Sequence, residues 1–378
     1  MKHTTWTIIR RSGISALPLA CALWTAMPVH ADSGGAADLP TVRAQAEQGS
    51  IRDEILLAGD YFTGNGVAQD PKMAAYWYER AAGHGSPEAQ NQIGYFYQAG
   101  IGVPKDPKRA LHWYQLAAAS GFAKAKVNLA VAYLRGIGVQ QDNELAVRLF
   151  NQAFQNGNGT AATYLGLLYY FGIAVKQDRA AAEKWFESGL KLHDPLAAYD
   201  LGSMYSINPD HPHDLPKAAG LLRQAADGGY VPAMHSLGLM LINHPELKQG
   251  PQESRTLLET AANAGSWKSS VVLGIMARDG RGVPVDYKTA YYHFRVALLQ
   301  GGAEAEKVLK NDIEINAARI SEEEGQTAVS AASTWFEHHS LPLVFVYKEG
   351  TPRRDFPMVG IALAPDGSAG QLLPPPGS

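Results

Sequence analysis

GIGVPKDPKRALHWY, Gly100–Tyr114, reads as a glycine loop feeding a helix. Such a loop can cradle a phosphate on the exposed N–H groups of the helix start. The residues 36 positions away decide otherwise. Upstream stands GNGVAQDPKMAAYWY, Gly64–Tyr78; downstream stand GIGVQQDNELAVRLF, Gly136–Phe150, and GIAVKQDRAAAEKWF, Gly172–Phe186. GRGVPVDYKTAYYHF, Gly280–Phe294, follows 108 residues later, three times the interval, so the register persists through two weaker copies. One nucleotide needs one phosphate loop, whereas five loops in register are the connectors of a repeat array.

Seven units of 36 residues run from Ser50 to Gly301, each predicting two helices, A and B. In the second unit Ala89, Ile93, Phe96 and Tyr97 fall on one face of helix A. A small residue recurs in the middle of that helix: Ala58, Gly94, Ala130, Gly166, Gly202, Gly238 and Gly274. Glycine costs about 1 kcal/mol in a helix interior, so its recurrence implies a close helix crossing. Asp70, Asp106, Asp142, Asp178, Asp214 and Asp286 stand just before helix B. They read as N-caps worth about 1 kcal/mol each, with Pro71 and Pro107 in the first helical position, and capping is preferred over a metal or catalytic role. Helix B carries Trp77, Trp113, Leu149, Trp185, Leu221, Leu257 and His293, mostly preceded by an alanine three residues earlier. Large against small at fixed spacing predicts interlocking core rather than a sugar-stacking ladder. Gly85, Gly121, Gly157, Gly229, Gly265 and Gly301 close helix B.

The flanks differ from the array. Residues 1–31 combine Lys2, Arg10 and Arg11 with an apolar stretch from Ile14 to Val29 and small-residue spacing before Ala31. This predicts a secretory signal peptide cleaved after Ala31, hence a periplasmic or secreted protein with no transmembrane span once the signal is removed. Cys21 follows LPLA, where Pro18 makes a poor lipobox, so lipid anchoring is disfavoured. Cys21 is the only cysteine, and the mature chain would hold no disulfide or thiol ligand. The formal charge of −3 becomes −6 without the signal, which favours no nucleic-acid partner. Residues 32–49 read as a linker and a leading half-repeat helix, residues 50–301 as the repeats, and residues 302–340 as capping helices. Ser321 and Glu324 form a capping box there. Residues 341–378, rich in proline and glycine, read as a tail with room for one short hairpin before a disordered end.

The frame Ala89…Ile93-Gly94…Tyr97…Gly100-x-Gly102-Val103…Asp106…Ala110…Trp113-Tyr114…Ala117…Gly121 resembles the Sel1-like repeat, a relative of the tetratricopeptide repeat, over about 250 of 378 residues. The resemblance implies an all-α fold: an α/α solenoid of seven 36-residue helix-turn-helix repeats with capping helices. It also implies a scaffold that holds complexes together or binds a regulatory partner. Secreted bacterial members are associated with envelope assembly, exopolysaccharide export, signalling control and host interaction. A cysteine-rich branch similar to penicillin-binding or β-lactamase proteins carries a disulfide in each repeat, which this chain lacks. Two units depart from the frame: Asn208-Pro209 and His244-Pro245 replace the loop glycines, and Gly250 replaces the capping aspartate. Drift is preferred over a specialised surface, since proline and asparagine also make turns.

In the tetratricopeptide frame the A helices line the concave side. The positions this places there are Asn91, Tyr95 and Gln98, then Val131 and Leu134, then Thr163, Leu167 and Tyr170, then Tyr199 and His235. The set is apolar enough to hold an extended peptide or a partner helix. Tight curvature that packs these side chains on one another is the equal alternative. Neither a nucleophile elbow nor a zinc-protease motif occurs, and the His and Asp residues of DHPHD, Asp210–Asp214, read as a solvated turn. No catalytic residue, metal site or cofactor is expected. The expected function is a non-catalytic interaction scaffold or adaptor for protein partners of the cell envelope. The alternatives are a periplasmic regulatory subunit of a membrane sensor kinase and, in another class, an envelope hydrolase acting on peptidoglycan or β-lactam.

Overall fold

The recurring element is a 13-residue α-helix that in most repeats begins on a capping side chain, and the A helices of the first unit end where the chain turns left-handed. The computed structural model describes residues 39–207, 214–247 and 251–339. Sixteen α-helices, one 3-10 turn and no strand occur among these residues. They fall into two compact units, one ending at His193 and the other beginning at Asp194. The signal segment, the Pro/Gly-rich tail, most of DHPHD, Asn208-Pro209 and Gly250 lie outside the described residues.

In the first unit α1 (Leu39–Glu47) packs on α2 (Ile51–Thr63), and α2 pairs with α3 (Pro71–Gly83). The hairpins α4 (Pro87–Ala99)/α5 (Pro107–Ala119), α6 (Ala123–Arg135)/α7 (Asn143–Gln155) and α8 (Gly159–Phe171)/α9 (Arg179–Lys191) follow, each packed on the last. In the second unit α10 (Pro195–Ile207) pairs with α11 (Leu215–Asp227), and α12 (Val231–Asn243) with α13 (Pro251–Asn263). There α14 (Trp267–Asp279) packs on the start of α15 (Tyr287–Ala317), and α16 (Glu322–His339) packs on α15.

Hydrogen bonding explains the helix starts. The carboxylates of Asp70, Asp106, Asp142, Asp178, Asp214 and Asp286 each accept from backbone N–H groups of the first turn of a B helix. Every recurring aspartate is thus occupied by the helix it begins. The small-residue position of helix A faces the second bulky residue of helix B. A Cβ at Gly94 would lie 2.8 Å from the Tyr114 ring, at Gly166 2.5 Å from Phe186, and at Gly274 2.4 Å from Phe294. At these three positions the crossing is therefore closer than a Cβ on helix A permits. One residue earlier Leu57, Ile93, Leu129, Leu165, Leu201, Leu237 and Leu273 are all buried, so a leucine or isoleucine runs along the centre of each unit.

The connector glycines have two separate jobs. Gly100 takes φ +77 and donates its N–H to the Phe96 carbonyl, ending α4. Gly102, at φ +66, meets the preceding hairpin: a Cβ there would stand 2.0 Å from the Pro71 carbonyl oxygen. Gly138 meets Pro107 in the same way at 2.5 Å, whereas Gly66, whose repeat has no predecessor of this kind, has nothing within 4 Å. The second glycine is a contact between hairpins as well as a turn.

Two expectations need correction, and one departing connector takes its own form. The positive φ expected at Gly301 falls at Gly302, φ +53 and ψ −135, which bends α15 between the last repeat and the first capping helix. Gly301 is instead a packing residue, because a Cβ there would lie 2.7 Å from Trp267 and from Ala305. The tryptophan stripe is core only in part. Trp77 is buried, but Trp113 and Trp185 are half-buried, the latter in edge contact with Phe154 at 5.2 Å. In the departing sixth repeat, α12 ends at His244 with φ −128, without a left-handed cap, and the chain continues through a 3-10 turn at Pro245–Leu247. The capping box is present: Glu324 donates its N–H to Ser321 Oγ at 3.2 Å, and Ser321 N–H reaches Glu324 Oε2 at 2.9 Å.

Candidate functional site

The side chains placed on the inner face come from the middle of each A helix, one turn from the buried leucine. In the first unit the structure buries most of them. Asn91 is 2% exposed, Tyr95 5%, Val131 4%, Leu134 3%, Thr163 0% and Leu167 1%. They are enclosed by the packed helices, and a partner reaches these six only if the surrounding side chains move. Gln98, Tyr170, Tyr199 and His235 are half-buried and keep surface. Within the first unit the expected positions therefore do not form an open groove.

Local contacts hold the four that keep surface. Gln98 Oε1 accepts from the Tyr114 hydroxyl at 3.1 Å. Tyr170 sits edge-on to Phe171 at 5.0 Å, with the Arg179 guanidinium 5.9 Å from its ring. Tyr199 meets Tyr230 edge-on at 5.1 Å, and burial raises its phenol pKa, opposed by hydrogen bonds with Ser236 and Ser203. His235 Nδ1 lies 3.0 Å from Ser269 Oγ. Burial, with Lys268 nearby, lowers the imidazole pKa to about 4. Both side chains are neutral at neutral pH, so hydrogen bonding and apolar contact are what they offer a partner.

The sequence reading passed over the next position along the same helices. Asn128 donates from Nδ2 to Asn91 Oδ1 at 2.8 Å, joining two A helices inside the apolar layer. Its 36-residue equivalents are Leu56, Gln92, Tyr164, Asp200, Ser236 and Val272, so polar side chains beside the buried leucine in five of seven repeats were the available signal. Asp200 is 1% exposed and neither oxygen has a hydrogen-bond partner among the described residues. Burial, and then the Asp194 charge, raises its pKa well above the carboxylate range.

The hydroxyl–imidazole pair Ser269–His235 invites a catalytic reading and does not support it. Ser269 is fully buried, its N–H donates to Ser266 Oγ, and its own hydroxyl lies 3.0 Å from the same oxygen. The pair is the start of α14 tied to α12. An imidazole with a pKa near 4 is also a poor base at neutral pH. No group of three or more His, Cys, Asp or Glu side chains with metal-holding geometry occurs among the described residues. Nor is any described helix long and apolar enough to cross a membrane.

Comparison with known proteins agrees with this geometry. The Sel1 repeat pattern matches residues 54–86, 87–122, 123–158, 159–194, 195–230, 231–266 and 271–302. A Sel1 repeat protein from Oxalobacter formigenes is 26% identical, covering 67% of this chain and 98% of its own, with a TM-score of 0.55. The c5321 protein, described as a protective antigen of uropathogenic Escherichia coli with an SLR fold, is 24% identical over 79% of this chain and 71% of its own, TM-score 0.43. Immunity protein Pa5087 from Pseudomonas aeruginosa is 20% identical over 60% of this chain and 88% of its own, TM-score 0.37. No curated protein matches the chain.

Proposed function

Because this chain belongs to the Sel1 repeat family, whose members are generally protein–protein interaction scaffolds, we propose that it is a non-catalytic scaffold or adaptor of the cell envelope. One observation carries the reading. The residues that recur at 36-residue spacing are consumed by architecture: aspartates cap helices, helix glycines seat aromatic rings, and loop glycines contact the preceding hairpin. What varies from repeat to repeat, and keeps surface, is Gln98, Tyr170, Tyr199 and His235 on the A helices. In each unit, uncharged, partly aromatic side chains of this kind suit an apolar segment of a partner better than a charged substrate.

Export by residues 1–31 places this scaffold in the periplasm or outside the cell, and a basic start followed by an apolar stretch supports that placement. The test is capture. Tagged protein beginning at Asp32 is cross-linked in an envelope extract, and bound proteins are identified against a control bearing Tyr170→Ala and Tyr199→Ala. A partner retained by the parent and lost by the control supports the proposal. Turnover of peptidoglycan or a β-lactam by the purified protein, abolished at one residue, overturns it in favour of an envelope hydrolase.

A further inference from the structure

Near the ends of two B helices, a carbonyl that already accepts a backbone N–H from its own turn takes a second, side-chain donor from the neighbouring repeat. The Ala82 carbonyl of α3 accepts from Gln90 Nε2 at 3.2 Å, and the Ala262 carbonyl of α13 from Gln300 Nε2 at 2.7 Å. Both carbonyls occupy one register, and Ala46 of α1 occupies it too, 36 residues before Ala82. There the donor is a cation. Arg80 Nη2 reaches the Ala46 carbonyl at 3.1 Å and that of Glu47 at 3.4 Å.

Arg80 is itself held from the other side. Its Nε lies 3.0 Å from Glu54 Oε1, and His84 Nδ1 lies 3.0 Å from Glu54 Oε2. Glu54 is 0% exposed. The guanidinium also lies 4.9 Å from the Trp77 ring. Glu54 stands at the position of Gln90, and Arg80 at that of Leu116; no other repeat carries an acid at the first position or a base at the second, so the ion pair is peculiar to the first repeat of the array. The element they grip is weak by itself. α1 has nine residues, of which Val42 and Ala46 alone are buried, while Thr41, Arg43, Ala44, Gln45 and Glu47 face solvent. A helix that short is marginal without tertiary contacts.

We infer that α1 is a separately opening lid on the end of the first unit, latched by Arg80, with buried Glu54 as the positioning residue that aims the guanidinium at the α1 carbonyls. Release uncovers the apolar edge that Val42 and Ala46 cover, without unpacking the hairpins behind it. The latch is electrostatic and hydrogen-bonded, so it opens far below the free energy of global unfolding. Its polar outer face ends the stack while it is shut.

Hydrogen exchange of the purified protein tests this. The double variant Glu54→Leu/Arg80→Leu removes both charges together and leaves neither buried alone. Amides of Ala46 to Ser50 are expected to exchange at least tenfold faster in it, with those of α4 and α6 unchanged. Glu54→Gln/Arg80→Leu restores the amide arrangement of Gln90 and Leu116 and is expected to return that protection. Unchanged exchange at Ala46 to Ser50 in the first variant overturns the latch, because the other contacts of α1, its apolar packing and the hydrogen bond from Arg43 to the Tyr61 hydroxyl, then suffice. Equal acceleration in α1, α4 and α6 overturns it too, because the network then supports the whole unit. Failure of the amide variant to restore protection removes the Ala46 carbonyl as the anchor.

Discussion

Single residues separate contact from conformation in this array. Gly66 and Gly102 share a loop position and a positive φ, +72 and +66, but Gly102 alone stands against a neighbouring backbone. Alanine at Gly66 should cost only the left-handed conformation, about 1–2 kcal/mol. Gly102→Ala adds overlap with the Pro71 carbonyl, which has no flexible end to move aside. Its expected loss is about 2–5 kcal/mol, and urea denaturation of the two variants side by side checks the difference. Ala174 is the natural counterpart, holding φ +62 at the position of Gly66, Gly102, Gly138 and Gly282. Asp200 shows the same economy in charge. Its folded pKa lies above the unfolded value of 3.8, so the native state binds the proton more tightly. Whatever stability the protonated acid contributes is complete below that unfolded pKa and is lost as pH rises toward the folded one. Asp200→Asn cannot ionise. Parent and variant should melt at similar temperatures near pH 3.5, and the variant should gain about 1.4 kcal/mol for each pH unit above that until the folded pKa is passed. Thermal melts from pH 3.5 to 8 measure the gap; a gap that stays constant with pH would show that Asp200 is already charged in the folded protein.

At the scale of the helix, repetition made the sequence readable. A cap, a small residue and a connector each return at 36-residue spacing, and a position that returns five times can be assigned with no knowledge of its neighbours. Asp106 and Gly94 were legible in that way, and the structure gives them the expected partners, the N–H groups of Lys108 and Arg109 and the ring of Tyr114. Gly94→Ala therefore sets two effects against each other. Alanine favours the helix by about 1 kcal/mol, but its Cβ must displace Tyr114 from 2.8 Å, and overpacking of a buried ring costs about 1–3 kcal/mol. The expected outcome is a net loss, reduced when Tyr114→Leu is added, since Gly202 meets the smaller Leu222 at 3.1 Å. Calorimetry on the single and double variants decides it. The inner face was less legible. Whether Asn91 or Leu167 meets water depends on how closely successive A helices approach, and many interhelical contacts set that distance together. Asn128 and Asp200 were missed because their position carries polar residues of different size and charge, with no single type to announce it.

The whole chain supplies the last distinction, between a surface that recognises and a surface that merely stacks. In the first unit Leu167 is 1% exposed and Tyr170, one turn along the same helix, keeps surface. Truncating Leu167 to alanine should cost about 2–5 kcal/mol through the cavity it leaves, whatever the partner does. Tyr170→Ala removes a ring that still meets solvent and should leave the melting temperature nearly unchanged. The second unit offers the matching test in Tyr199, whose ring rests on Tyr230 at its own inner face. A tyrosine at the centre of an interface contributes about 2 kcal/mol or more, a loss of roughly 30-fold in affinity. For a scaffold that engages its partner through these faces, Tyr170→Ala lowers capture at unchanged stability, Tyr199→Ala lowers capture with some loss of stability because its ring also packs on the core around Leu222 and Leu237, and Leu167→Ala lowers stability and capture together. Tyr95, 5% exposed, belongs with Leu167 in this comparison, although its position in the repeat suggested a groove residue. Capture that survives both tyrosine substitutions would move recognition off the A helices, and the outward positions of the B helices around half-buried Trp113 and exposed Leu116 and Tyr76 would be the next to test by the same measurement.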